Sequence, residues 1–247
     1  MSNMKRLIIL FLACLSLLTS GCESVDLFLA TEAGIDGIKA VALSDEAVRE
    51  LAVQSAQFSD SQNKLAASEN RYSQRLKKLT DQHVMQNGLV FNFKVYESPE
   101  INAFAMADGT IRFYSGLMDM MDDGELFFII GHEVGHVVKG HVRKKIRLAY
   151  ASRALRKGVA SMNNEVGDIA RSQVGGLAEK LLNAQFSQKE ERAADDYGLN
   201  FLKNAGYEPR AAISALRKLV TLGNSHSFLS SHPAPGKRAE RLAAQLK

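Results

Sequence analysis

Between Asp122 and His141 the chain runs Asp-Asp-Gly-Glu-Leu-Phe-Phe-Ile-Ile-Gly-His132-Glu133-Val-Gly-His136-Val-Val-Lys-Gly-His. Asp122 or Asp123 is suited to cap a helix start. The helix that follows is apolar nearly all round, so it must be buried. A buried helix carrying two imidazoles and a carboxylate is costly unless those groups pair or bind a metal. His132 and His136 are four residues apart and share one face. At that spacing both can reach one Zn²⁺ at about 2.0–2.1 Å. Glu133 lies about 100° around the helix, near the ion without being needed as a ligand. That placement suits a general base acting on water at the metal. A shuffled chain of this composition would carry His-Glu-x-x-His only about 0.009 times, so accident is a poor explanation. His141 falls nine residues after His132, about 180° around a continuous helix, and reads as an ordinary helix-end residue outside the metal site.

A catalytic zinc generally has three protein ligands. Ser187-Gln-Lys-Glu190 forms a capping box, so a second helix starts there. Glu191 and Asp195 on it share a face, and Ala193 and Ala194 allow close packing. Glu191 could complete a His-His-Glu site, with Asp195 orienting a ligand by hydrogen bonding. On spacing alone, a solvent-facing charged helix is an equal alternative.

The N-terminus has a different character. Lys5 and Arg6 precede an apolar stretch from Leu7 to Leu18, then Thr19-Ser20-Gly21-Cys22. This is the pattern of a secretory signal, and it is too short to span a bilayer. Small residues leading into Cys22 resemble a bacterial lipobox, although Thr19 stands where Leu is usual. The expected organisation is a lipoprotein signal over 1–21, a tether over 22–43 starting at lipidated Cys22, and one domain over 44–247. Glu23 is not the Asp that usually retains lipoproteins in the inner membrane, so the periplasmic face of the outer membrane is favoured.

Within the domain, Ser44 to about His83 reads as helix, with acidic Asp45 and Glu46 in its first turn. Residues 89–115 alternate as strands do, and Asp108-Gly109 signals a two-residue hairpin. The expected fold is therefore α+β, mainly α, with a small antiparallel sheet beside the histidine-bearing helix.

Several runs resemble the gluzincin peptidases related to HtpX, BepA and the CAAX prenyl protease, above all LoiP-like periplasmic lipoproteins. They are Asn102-Ala-Phe-Ala-Met106, Ile111 to Met118, Gly131 to His136, Phe186-Ser-Gln and Ala194-Asp-Asp-Tyr197. The resemblance implies one Zn²⁺ per chain on His132, His136 and Glu191, with Glu133 as base. It implies that Asn102, Ala103, Phe104, Ala105 and Met106 form the edge strand of the cleft, to which an extended peptide adds by backbone pairing. Ser231-His232-Pro233 with Arg238 resembles a late family element. His232 would then stabilise an oxyanion, unless the element is a structural loop fixed by Pro233 and Pro235.

The reading is a lipid-anchored zinc endopeptidase acting on misfolded or unassembled envelope proteins, with outer-membrane assembly factors as candidate partners. The rival is a chaperone-like module of the same fold that holds such proteins without cutting them. A formal charge of +4 is too small to imply nucleic acid. Two cysteines, one inside the signal, exclude a disulfide scaffold. Eight bases and no acid between Val134 and Asn164 form either a solvated face or a contact for anionic headgroups.

Overall fold

The structure is a computed structural model that describes residues 43–149, 184–223 and 227–247. The expected signal, Cys22 and all of the tether but Leu43 lie outside those residues, as does most of the Gly-, Ser- and Asn-rich stretch 158–186. The described part is mainly α with two small sheets.

Two helices stand where the sequence suggested one helical run. Helix α1 spans Asp45–Gln62, and the Ser44 side chain caps it by accepting from the Ala47 amide at 3.1 Å. The chain then extends, and this segment pairs with the main sheet: Ala66 N donates to Val95 O at 2.9 Å and Glu97 N to Lys64 O at 2.8 Å. Helical structure resumes as α2, Arg71–Thr80, capped by Asn70. Backbone pairing to the sheet overrides local helical preference at this break.

Strands β1 (Met85–Gln86) and β2 (Leu89–Val90) form a hairpin. Its turn residues Asn87 and Gly88 both have positive φ, 50° and 76°, the geometry that an Asn-Gly pair favours.

The main sheet contains β3 (Asn92–Tyr96), β4 (Ala103–Ala105) and β5 (Thr110–Tyr114), in the order β3-β5-β4. β4 and β5 are antiparallel, but β3 runs parallel to β5, so the sheet is mixed rather than wholly antiparallel. Residues 97–102 carry the chain past one strand position, which leaves room for β5 between β3 and β4. Period-two alternation reports which face a residue takes, not the direction of its neighbour, so the sequence could not reveal this. The hairpin loop is Ala107-Asp108-Gly109, closed by Met106 N to Thr110 O at 2.8 Å and Gly109 N to Met106 O at 3.1 Å. Gly109 has φ +94°, and a Cβ there would lie 2.2 Å from Val90 O, so only glycine fits.

An ion pair between a buried arginine and a partly buried aspartate fastens α1 to this sheet. Arg112 is 3% exposed and donates through Nε and Nη2 to the two Asp60 oxygens at 2.8 and 2.9 Å. The Tyr96 hydroxyl donates to Asp60 Oδ1 at 2.7 Å. Burial pushes the Asp60 carboxyl up, but the hydrogen bonds from Arg112 and Tyr96 outweigh it and hold the group below its ordinary value. A depressed folded-state pKa stabilises above the unfolded value and is lost as pH falls through the folded one. Asp60→Asn should therefore cost about 1.5–3 kcal/mol at pH 7. Its melting temperature should converge on the wild type's below about pH 4. Circular-dichroism melts across pH check this; a cost that stays constant down to pH 3 would refute it.

The short helix α3 (Ser115–Met120) leads into α4, Asp123–Val138. Asp122 is the cap, in a full capping box with Glu125. The buried Glu125 also accepts from Ser214 Oγ and Lys218 Nζ, each at 2.6 Å. Those two residues lie on α7, Arg210–Val220. The remaining helices are α5 (141–149), α6 (Gln188–Asn204), α8 (Ser227–Ser231) and α9 (Pro235–Gln245).

Candidate metal centre and active site

Helix α4 is as buried as its sequence demands: His132, Glu133 and His136 are all at most 1% exposed. Its main partner is α6. The two helices approach closely because glycines meet along the seam. A Cβ on Gly131 would come within 2.8 Å of Phe201 Cβ, and one on Gly198 within 3.0 Å of the His132 amide nitrogen. Ala194 lines the same seam, with its Cα 3.3 Å from where a Gly135 Cβ would sit. This approach brings Glu191 and Asp195, on the first turns of α6, against the two histidines. The sequence reading credited the alanines and missed the glycines.

Four buried side chains converge. His132, His136, Glu191 and His232 each offer a ligand atom, all within 4.8 Å of one another. His132 Nε2 lies 3.1 Å from His136 Nε2 and 3.2 Å from His232 Nδ1. Glu191 Oε1 lies 3.4 Å from His136 Nε2 and 3.0 Å from His232 Nδ1. Donors at 2.0–2.1 Å from a tetrahedral ion would sit about 3.3 Å apart. The spacing, the three-imidazole and carboxylate donor set, and the burial all fit Zn²⁺.

The protonation states agree. Burial drives the His136 pKa well below its ordinary value, against opposition from Glu191, so the ring is neutral as a metal ligand must be. Burial would raise the Glu191 carboxyl. The Arg238 charge, with His232 and His136, reverses that and keeps it well below the usual range.

Arg238, on α9, braces the α6 carboxylates. Its Nε and Nη2 donate to Asp195 at 3.0 and 2.6 Å, and its Nη1 is ion-paired with Glu191 Oε2. Asp195 Oδ1 lies 3.2 Å from His132 Nδ1. A proton on that Nδ1 leaves Nε2 free to face the other donors. Asp195 is held at about 2; burial alone would raise it, and Arg238 and His132 bring it down.

His232 lies beside both the donor cluster and Glu133. It follows α8, its ring stacks on Phe228 with centroids 4.4 Å apart, and its Nδ1 joins the donor cluster. Its Nε2 is 3.4 Å from Glu133 Oε1. Two residues later Ala234 adopts left-handed backbone, φ 56° and ψ 48°, directly before Pro235. A non-glycine residue held there costs about 1–3 kcal/mol, a form of strain that gathers at functional loops.

His141 is no ordinary helix-end residue. Helix α4 stops at Val138, Gly140 takes φ +74°, and α5 starts in a new direction. The continuous-helix angle therefore does not apply. His141 is outside the donor cluster, but its Nδ1 lies 3.1 Å from His136 Nδ1, which fixes the orientation of that ring.

Glu133 lines a pocket with Phe104, Ala105 and Met106, so the expected edge strand borders its surroundings. β4 is at the sheet edge. Phe104 pairs with Arg112, which directs the main-chain groups of Ala103 and Ala105 away from β5. Asn102 is buried and its carbonyl accepts from Tyr114 N.

The basic stretch is not one solvated face. Lys144 pairs with Glu190 at 3.1 Å and Arg147 with Asp45 at 2.6 Å. Lys145 turns into the Glu133 pocket. Arg153, Arg156 and Lys157 lie outside the described residues. No described helix is long and apolar enough to cross a membrane.

Comparison with known proteins places this geometry among peptidases. The family model of Peptidase family M48 matches residues 46–246. Metalloprotease LoiP of Escherichia coli is 40% identical over 230 residues, covering 92% of this chain and 91% of that protein. Metalloprotease YcaL of the same organism is 35% identical over 252 residues, covering 100% and 98%. The beta-barrel assembly-enhancing protease of Yersinia pestis is 29% identical over 172 residues, covering 64% and 35%.

Proposed function

The chain belongs to peptidase family M48 and is a zinc metalloendopeptidase; from that premise we propose that it is a lipid-anchored enzyme of the bacterial envelope, cutting misfolded or unassembled proteins with Glu133 as its base. The observation that carries the reading is the convergence of four buried donors beside a glutamate that shares a pocket with edge strand β4.

His132, His136 and Glu191 would hold the ion, leaving a position for water, with His232 beside them. When bound, zinc supplies a Lewis acid that polarises the scissile carbonyl and acidifies water. The chain's own residues do the rest. Glu133 Oε1 is buried and has no hydrogen-bond partner in the structure, so it is available to take a proton from the attacking water. It later delivers that proton to the leaving amine. The outward main-chain groups of the partly exposed Ala105 would start the pairing with an extended substrate by strand addition, which tolerates many sequences and so suits unfolded proteins. Arg238 and Asp195 keep Glu191 and His132 aimed at the ion.

The lipid anchor and the periplasmic setting rest on the N-terminal pattern ending at Cys22, and outer-membrane assembly factors as partners rest on resemblance. The test combines two measurements. Purified protein should cut casein, a chelator should stop it, and zinc should restore it. In cells, a labelled fatty acid should mark the wild type and not Cys22→Ala. Chelator-resistant cleavage would sink the peptidase mechanism, and label on both proteins would sink the anchor.

A further inference from the structure

The pocket beside Glu133 holds a cation that the mechanism leaves unused. Lys145 projects from α5 into walls formed by Phe104, Met106, Val142 and Phe186. Its Nζ lies 4.1 Å from the centre of the Phe186 ring. The same ring stacks on His136, with centroids 3.8 Å apart and planes 27° from parallel. The neighbouring bases Lys144 and Arg147 each have a carboxylate partner at the surface. Lys145 forms no such ion pair among the described residues, and an aromatic face is a weaker partner for an ammonium than a carboxylate. Burial lowers its pKa to about 8, with Glu133, Glu191 and Glu190 pulling the other way.

We propose that Lys145 determines specificity: its ammonium receives the carboxylate of a Glu or Asp side chain adjoining the scissile bond, while the apolar walls take that side chain's methylene groups. The proposal rests on the peptidase reading. It follows from where the charges lie. Glu133 lines the same pocket, and without a cation in the wall its carboxylate would repel an acidic substrate side chain. The pocket encloses about 10 Å³, roughly the room of one water. A substrate side chain therefore enters only as Lys145 moves off Phe186. The flexible four-carbon stem permits this, and the ammonium exchanges the ring for a carboxylate.

The experiment uses zinc-loaded protein, a mass-spectrometric map of its cuts in casein, and quenched fluorogenic peptides built on one mapped cut. Glu, Gln or Leu is placed on either side of the scissile bond. At one of the two positions, wild type should prefer Glu over Gln by about tenfold in kcat/KM, the size of one modest charge pair. Lys145→Met should keep its rate on the Gln peptide and lose or reverse the preference. Binding of the same peptides to Glu133→Gln, followed by fluorescence anisotropy, should show the same Glu-to-Gln ratio without turnover. Lys145→Met in that background should abolish it.

Three results would overturn the proposal. One is the absence of acid preference in a wild type that cuts casein, which leaves the peptidase reading standing. Another is a preference that survives in Lys145→Met. The third is an equal loss on Glu and Gln peptides, which would mean a structural role or a general electrostatic one. If zinc-loaded wild type cuts neither casein nor any peptide, the peptidase reading fails and this proposal fails with it.

Discussion

Glu133→Gln should retain about one zinc per chain, the stoichiometry of a catalytic site, and lose casein cleavage by a factor of about 10²–10⁴. The substitution keeps the shape of the side chain and removes its capacity to take a proton. It should be well tolerated by the fold. Glu133 Oε1 accepts no hydrogen bond and has His232 Nε2 at 3.4 Å, so an amide breaks no hydrogen bond at that oxygen. Glu133 is not among the four converging donors, so the ion should stay. Metal content, a circular-dichroism melt and a casein assay on the same preparation separate the cases. Loss of activity with zinc retained supports Glu133 as the base. Loss of zinc together with activity would make it a ligand instead, and equal cleavage by both proteins would remove it from the mechanism.

The centre of this site was legible because its signals are local and chemically expensive. Two imidazoles and a carboxylate inside an apolar helix had to be paired or metal-bound, and a cap at Asp122 or Asp123 and the capping box at Ser187 marked where α4 and α6 begin. The seam between those helices was also written in the sequence, at Gly131 and Gly198, but only a packing distance shows that a Cβ would collide there. Two residues were misjudged or left without a role for a different reason. His141 was placed by extrapolating one helix past Gly140, whose positive φ ends it. Lys145, twelve residues beyond Glu133, was one base in a run and reaches the pocket only because of that bend. The parallel pairing of β3 with β5 and the break between α1 and α2 are long-range choices. Alternation and helical periodicity describe faces, and neither specifies a partner. Arg238 and His232 entered through resemblance; burial and distance then gave them neighbours.

Those neighbours make Arg238 the residue whose loss should cost the fold most. It is 5% exposed and is the shared counter-charge of Glu191 and Asp195, themselves at most 1% exposed. Arg238→Met preserves much of the apolar stem, takes the guanidinium from both buried carboxylates and leaves Asp195 only Arg241, 3.7 Å away. Removing one partner of a buried charge network costs about 3–5 kcal/mol. That full cost should appear in chelator-treated protein. Zinc brings positive charge to the Glu191 side of the same network, so the loss should be smaller in the loaded protein, and zinc should raise the melting temperature of the variant more than that of the wild type. Arg238→Lys is the control for charge without shape. One ammonium cannot reproduce the fork that spans both carboxylates, so its stability should fall between the two. The chain has no Trp, so far-ultraviolet circular dichroism is the appropriate signal. If Arg238→Met melts within about a degree of wild type with and without zinc, a shift well below what even 1 kcal/mol produces, the carboxylates find their compensation elsewhere. Arg238 would then be a packing residue of α9 and not the brace of the metal centre.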